Sequence, residues 1–263
     1  MATSGLIGYT GFVGSTLNRA TTFEALYNTQ NIQDIRGQTF DLLVCAAPQA
    51  KKWWANQNPE ADLALIQQLI SHLEQTQAQR FVLISSIDVF PHLVEVDETF
   101  DCSSVANHAY GKNRLILEQF VSTHFPCAHI VRLPGLFGPG LKKNVIFDML
   151  HDNDVAKINP ANQFQWYDTT RLWSDVQIIL KQDLRLVMLA TPPIATQEIQ
   201  ARFFPEVKIG AVPGAPVYYD VRTRYAQVFG GEGGYMLSKA QVLDAMSQFV
   251  AMEKAKNRET HYL

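Results

Sequence analysis

Two rhythms of apolar and polar residues alternate through the first half of the chain. Short apolar runs read as buried strands at Leu6-Ile7, 23–28, 40–48, 80–86 and 128–133. Between them, apolar residues recur three and four positions apart. Leu63, Ile66, Leu69, Ile70 and Leu73 put an apolar stripe on a helix over 62–76, and a second long helix is expected over 110–124. The run Leu42-Leu43-Val44-Cys45 is apolar on both faces, as a central strand of a parallel sheet must be. Strands alternating with helices in this way predict an α/β fold with a doubly wound, Rossmann-like parallel sheet.

Beyond Gly140 the rhythm weakens. Segments 145–150, 173–181 and 240–256 keep a helical pattern and 186–190 reads as a strand. Pro192-Pro193, Pro205, Pro213-Gly214, Pro216 and the glycines from Gly230 to Gly234 punctuate the rest, which predicts a small C-terminal α/β lobe.

Composition narrows the field without naming a function. With 263 residues and 47% hydrophobic content the chain can bury one substantial core plus a small lobe. Its 22 basic and 25 acidic residues give a net charge of −3 with no basic run, which argues against a nucleic-acid partner. No apolar run approaches the ~20 residues of a membrane span, and a strand follows within a few residues of Met1, so neither a membrane segment nor a leader is expected. Cys45, Cys102 and Cys127 are widely separated with no ligand spacing, and read as free thiols of a cytoplasmic protein. The seven histidines form no metal-binding grouping, so no metal is expected.

The candidate chemistry begins in the first turn. Gly8-Tyr9-Thr10-Gly11-Phe12-Val13-Gly14 follows the first strand and opens a helix. Gly8 permits a sharp turn, Gly11 lets the backbone approach a ligand, and Gly14 lets the helix pack against the strand. The helix start then offers N–H groups and a positive dipole end to phosphates. Gly8, Thr10, Gly11, Phe12, Val13 and Gly14 are therefore candidate dinucleotide contacts, joined by Asn28 after the second strand and by the small Ala46, Ala47 and Pro48 after the third. No acid stands near Asn28 to take the ribose hydroxyls of NAD, and Arg19 and Arg36 are the bases within reach of an NADP phosphate, so either cofactor fits. Residues 1–140 are assigned to the dinucleotide-binding domain, with later segments returning to it, and 141–263 mostly to a substrate-binding lobe.

Ser85-Ser86 ends the fourth strand and Tyr110-Gly111-Lys112-Asn113-Arg114 opens the next helix. A strand-end hydroxyl beside a helical tyrosine can share a substrate oxygen between two donors while hydride arrives from a nicotinamide. With the Gly-x-x-Gly-x-x-Gly turn, in this order, the chain resembles the extended short-chain dehydrogenase/reductases, which include NAD-dependent sugar epimerases and dehydratases. The resemblance implies catalytic roles for Ser86 and Tyr110. It places Arg114 where the family has lysine, to anchor the nicotinamide ribose and bias Tyr110 toward its anion. It also implies that Pro134, within Arg132-Leu133-Pro134-Gly135-Leu136-Phe137-Gly138-Pro139, closes over the nicotinamide end. A homodimer through the helices near Asp62 and Tyr110 is a further expectation.

The chain also departs from the pattern. Arg114 is a fixed cation that hardly exchanges a proton. Gly135 stands where a substrate-binding Asn is usual, and Asp168 where a diphosphate-binding Arg is usual, with Arg171 the nearest base. Substrate contacts are expected from Asp88, Trp53, Asn144 and Arg171. Trp53 and Trp54 fit either a substrate mouth or packing against the next helix. The leading expectation is an NAD(P)-dependent oxidoreductase or epimerase-like enzyme acting on a hydroxyl or carbonyl carbon of a sugar-like small molecule, including a nucleotide sugar. The alternatives are a sugar dehydratase using Asp88, which is equally a turn-capping residue, and a non-catalytic dinucleotide-binding sensor or scaffold.

Overall fold

The computed structural model describes residues 3–211 and 214–260. In chain order the elements are β1 (Ser4–Ile7), α1 (Phe12–Ala20), β2 (Ala25–Tyr27), β3 (Thr39–Cys45), α2 (Lys52–Gln57), α3 (Pro59–Leu73), β4 (Gln77–Ser86), β5 (Val94–Val96), α4 (Ala109–His124), β6 (Ala128–Leu133) and β7 (Gly135–Phe137). They continue with α5 (Val145–His151), β8 (Gln163–Asp168), α6 (Leu172–Lys181), β9 (Leu186–Met188), β10 (Pro193–Ala195), α7 (Thr196–Phe203), β11 (Asp220–Val221) and α8 (Lys239–Thr260). The chain divides into two compact units. The first runs through to Leu133 and takes back Arg171–Met188; the second holds Pro134–Thr170 and the chain from Leu189 on.

The first unit is built on a six-stranded parallel sheet ordered β2-β1-β3-β4-β6-β9. Alternation along each strand divides its side chains between two helical layers. Ile7, Leu43, Cys45, Phe81, Leu83 and Ile130 join Ile66, Leu69 and Leu73 of α3 and Leu117 and Val121 of α4 in one core cluster. Within it Phe81 stacks on Phe125, ring centroids 4.2 Å apart. Leu6, Val44, Val82 and Val131 alternate with those residues and are equally buried, as are Leu17 of α1 and Leu172, Val176 and Ile179 of α6. Helix α1 packs with α6, and α3 with α4. Doubly wound sheets bind ligands beyond the carboxyl ends of the strands where the order reverses. Here that point lies between β1 and β3.

Helix α3 starts where local chemistry favours it, with Pro59 in its first turn and Glu60 and Asp62 at the positive end of its dipole. Helix α4 starts at His108, whose Nδ1 accepts the N–H of Gly111 at 3.0 Å. The short α2, which the apolar rhythm does not announce, follows the end of β3.

The second unit holds a three-stranded sheet in which β8 runs parallel to β7 and antiparallel to β10. Gln165 is fully buried on β8, yet its amide is used: it donates to the carbonyls of Thr191 and Val221 and accepts the N–H of Val221. Gly135 pairs with Trp166, and a Cβ there would lie 2.8 Å from the carbonyl oxygen of Gln165. Close strand packing thus accounts for glycine at 135. The ring of Phe137 meets Phe249 of α8, centroids 5.9 Å apart.

Candidate active site

The glycine turn sits at the switch point. Gly8 adopts φ +84°, and its N–H donates to Tyr27 O at 2.7 Å, tying the ends of β1 and β2 together. A Cβ on Gly8 would come within 3.0 Å of the Ala46 carbonyl, so the ends of β1 and β3 approach closely. Gly14 is buried, and a Cβ there would stand 2.0 Å from Gly8 O, which is why helix and strand can meet. Gly11 differs from both. It is exposed, and an added Cβ would meet only Gly8 O, at 3.3 Å. It is the N-cap of α1, with no side-chain cap and no acid in the first turn. Thr10 is exposed beside it, and Phe12 and Val13 are half-buried. The result is a backbone cradle open at Gly11 and bearing a positive helix end.

Asn28 closes its own turn. Its side chain donates to the Tyr9 hydroxyl at 3.1 Å and accepts the N–H of Gln30 at 2.8 Å. Arg19 donates to Thr16 within α1, and Arg36 to His72 on α3, so both are engaged locally.

Across the sheet, β4 delivers Ser86 and α4 delivers Tyr110, and the Ser86 side chain lies near enough to the phenol to act on its ionisation. The Tyr110 N–H is fixed by Asn56 Oδ1 at 3.0 Å. Burial pushes the phenol above its ordinary range; the Arg114 charge opposes this, Asp88 reinforces it, and Ser86 and Lys52 oppose it. The phenol is therefore protonated near neutral pH. Ser86 Oγ accepts the N–H of Asp88 at 3.1 Å and donates to Asp88 Oδ2 at 3.2 Å, while Asp88 Oδ1 receives Lys52 Nζ at 2.6 Å. Asp88 is thus more than a turn cap: it bridges the serine and an ammonium.

Arg114 is held by protein groups beside Tyr110. It lies over the Tyr110 ring, 4.2 Å from the centroid, with its donors turned to protein. Nη1 is 2.5 Å from Asp62 Oδ2, and Nη2 donates to Gln49 O at 2.9 Å. Asn113 adds a hydrogen bond to the same Asp62 oxygen. The physical reason is burial: the guanidinium is 5% exposed and needs a carboxylate there.

Of the paired tryptophans, Trp54 is half-buried, whereas Trp53 is 73% exposed beside Lys52. Arg171 bonds Asp175 at 3.3 Å on α6. Asn144 spends its amide on structure: it caps α5 by accepting from Ile146 and Phe147, and it donates to Leu136 O. Pro134 is the buried first residue of the second unit. Thus Ser86, Asp88, Tyr110 and Arg114 come together, while Asn144 and Pro134 belong to the other unit. The residues missed in sequence are Lys52 and Asp62. Lys52 stands out only as half of a basic pair after the third strand, and Asp62 only as a helix-start acid.

Fold and site together define a class, the Rossmann-like α/β proteins with an open glycine turn at the switch point. No protein-family model matches the sequence, and no curated protein is similar to it in sequence. Solved structures share the fold along nearly the whole chain. dTDP-glucose 4,6-dehydratase from Streptomyces venezuelae, solved with NAD, superposes with a TM-score of 0.72 at 14% identity, covering 97% of this chain and 98% of that one. dTDP-4-dehydrorhamnose reductase from Bacillus anthracis, solved with NADP, gives 0.71 at 15%, covering 96% and 99%. UDP-N-acetylglucosamine 4-epimerase from Methanobrevibacter ruminantium gives 0.70 at 11%, covering 95% and 97%.

Proposed function

We propose that this chain is an NAD(P)-dependent enzyme of the extended short-chain dehydrogenase/reductase kind, acting on a hydroxyl or carbonyl carbon of a sugar-like substrate. The observation that carries the reading is Ser86 set beside a buried, protonated Tyr110 on a sheet whose switch point presents an open glycine cradle. The shared fold with sugar-nucleotide dehydratases, reductases and epimerases agrees with it.

The residues present fit a dinucleotide. Exposed Gly11 leaves room at the helix start, and the N–H groups of the first turn of α1 would hold the diphosphate. Ala46, Ala47 and Pro48, at the end of β3, would border the bound nucleotide. When bound, a nicotinamide supplies or accepts the hydride. In the reductive direction Tyr110 Oη gives its proton to the substrate oxygen, and Ser86 Oγ orients that oxygen. Burial of Tyr110 keeps the proton on the phenol until a substrate oxygen takes it.

The test is depletion of NADH or NADPH, followed by nicotinamide absorbance, over a panel of keto sugars and nucleotide-linked keto sugars. Turnover by the native protein, lost about 100-fold or more in Tyr110→Phe with dinucleotide affinity kept, is the expected result. Undiminished turnover in Tyr110→Phe defeats the proposal. The bonds from both terminal nitrogens of Arg114 to Asp62 and Gln49 favour one second reading, a dinucleotide-binding sensor; dinucleotide binding without turnover on any substrate would select it.

A further inference from the structure

Lys52 is the first residue of α2. Its ammonium meets Asp88 Oδ1, Asp88 Oδ2 accepts the Ser86 hydroxyl, and the Ser86 side chain neighbours the Tyr110 phenol. These groups form one polar chain from a phenol that is 4% exposed to a lysine side chain that is 40% exposed. Arg114, over the ring, is held against Asp62 and the Gln49 carbonyl. A guanidinium there contributes charge but gives up no proton at neutral pH.

We propose that two duties which one lysine could combine beside this tyrosine are divided here. Arg114 supplies fixed positive charge against the ring of Tyr110, and Lys52, through Asp88 and Ser86, exchanges the proton of the site with water. The proposal rests on the reading of Tyr110 as proton donor. When the Oη–H bond of Tyr110 breaks and its proton passes to a substrate oxygen, a phenolate remains. Ser86 Oγ–H restores the phenol. Asp88 takes a proton from Lys52 Nζ on Oδ1, turns about Cβ–Cγ and returns that proton to Ser86; the neutral amine recovers one from water. The net transfer is one proton from solvent to substrate oxygen, and the relay moves no electrons.

Other groups near Tyr110 do not offer this route. His108, at the start of α4, has its ring centroid 6.4 Å from that of Tyr110, and burial followed by the charge of Lys52 holds its pKa below the ordinary histidine value. Asp62 on α3 reaches the phenol only through Arg114. Asp88 raises the phenol's pKa, while Arg114 and Lys52 both lower it, so removing the Lys52 charge must move the Tyr110 titration upward.

The experiment compares Lys52→Met with Lys52→Arg. Tyr110 ionisation is followed by tyrosinate absorbance, each protein read against its own Tyr110→Phe counterpart. The midpoint should be higher in Lys52→Met than in Lys52→Arg, which keeps the charge. On a substrate from the panel, turnover should fall about 100-fold in both, because neither side chain exchanges a proton at neutral pH. Added methylamine should restore Lys52→Met in proportion to its concentration. Native-like turnover in Lys52→Arg overturns the relay and leaves Lys52 only a charge. Equal midpoints in Lys52→Met and Lys52→Arg overturn its coupling to Tyr110, and that readout needs no substrate. If the native protein turns over nothing on the panel, the enzymatic reading fails on its own, and the titration still decides whether Lys52 is coupled to the phenol.

Discussion

Two ion pairs of the same chemical kind neighbour Tyr110 in opposite surroundings. Arg114 and Asp62, joining α4 to α3, are 5% and 4% exposed; Lys52 and Asp88 are 40% and 17% exposed. A buried pair has given up its hydration and holds its geometry because breaking it would strand a charge. A half-exposed pair contributes little to folding and can exchange protons and partners. Identical formal charges therefore serve the scaffold in the buried pair and are available for chemistry in the exposed one.

The sharpest way to break this comparison is to remove one partner of the buried pair. Asp62→Ala leaves the Arg114 guanidinium with only the Gln49 carbonyl and deprives Asn113 of a partner. The expected loss is about 3–5 kcal/mol of unfolding free energy, read from urea denaturation. Replacing both partners together, Asp62→Leu with Arg114→Met, should recover most of it, since no stranded charge is left. A loss in Asp62→Ala below about 1 kcal/mol would place the pair in the surface class and dissolve the contrast.

Two glycines of the opening turn repeat the division between scaffold and working surface at smaller scale. A Cβ at Gly14 runs into the Gly8 backbone, so Gly14→Ala should destabilise by about 1–3 kcal/mol. Gly11 has φ −74° and is exposed, and its added Cβ would touch only Gly8 O at 3.3 Å, so Gly11→Leu should destabilise less than Gly14→Ala. That leucine would fill the cradle, and dinucleotide affinity, measured by titration calorimetry, should fall about tenfold or more, equivalent to 1.4 kcal/mol. Equal effects on folding from the two substitutions would show that the cradle is packing and not a seat.

The same distinction explains what the sequence makes legible. Helices α3 and α4 and strands β3, β4 and β6 are long enough for the period of their apolar residues to declare itself, so the parallel sheet can be read directly. The turn from Gly8 to Gly14 and the positions of Ser86 and Tyr110 are legible because each lies at the junction of a strand or helix whose end is clear. Strands β7 and β10 have three residues each, too few for alternation to register, and β8, Gln-Phe-Gln-Trp-Tyr-Asp, carries a buried glutamine whose partners lie on other segments. Segment Leu186–Met188 looks like part of the C-terminal lobe by position alone, yet it pairs with β6 at the edge of the main sheet. The partners of Arg114 could not be read at all. Asp62 lies 52 positions away, and nothing local distinguishes a buried helix-start acid from a solvated one.

The smallest effect expected is also the one that makes the exposed pair informative. Lys52 and Asp88 meet at 2.6 Å, a separation that on distance alone would rank beside Arg114 and Asp62. Water reaches the lysine, screens the attraction and replaces it when the pair separates, while holding the long side chain in one rotamer costs entropy. Lys52→Met should therefore change unfolding free energy by less than about 1 kcal/mol, measured beside Asp62→Ala under the same urea series. Such a result would mean that any large change in Tyr110 titration or in turnover reports on the charge and proton of the ammonium and not on a damaged fold. A loss as large as that of Asp62→Ala would instead make Lys52 a structural residue and erase the difference between the two pairs.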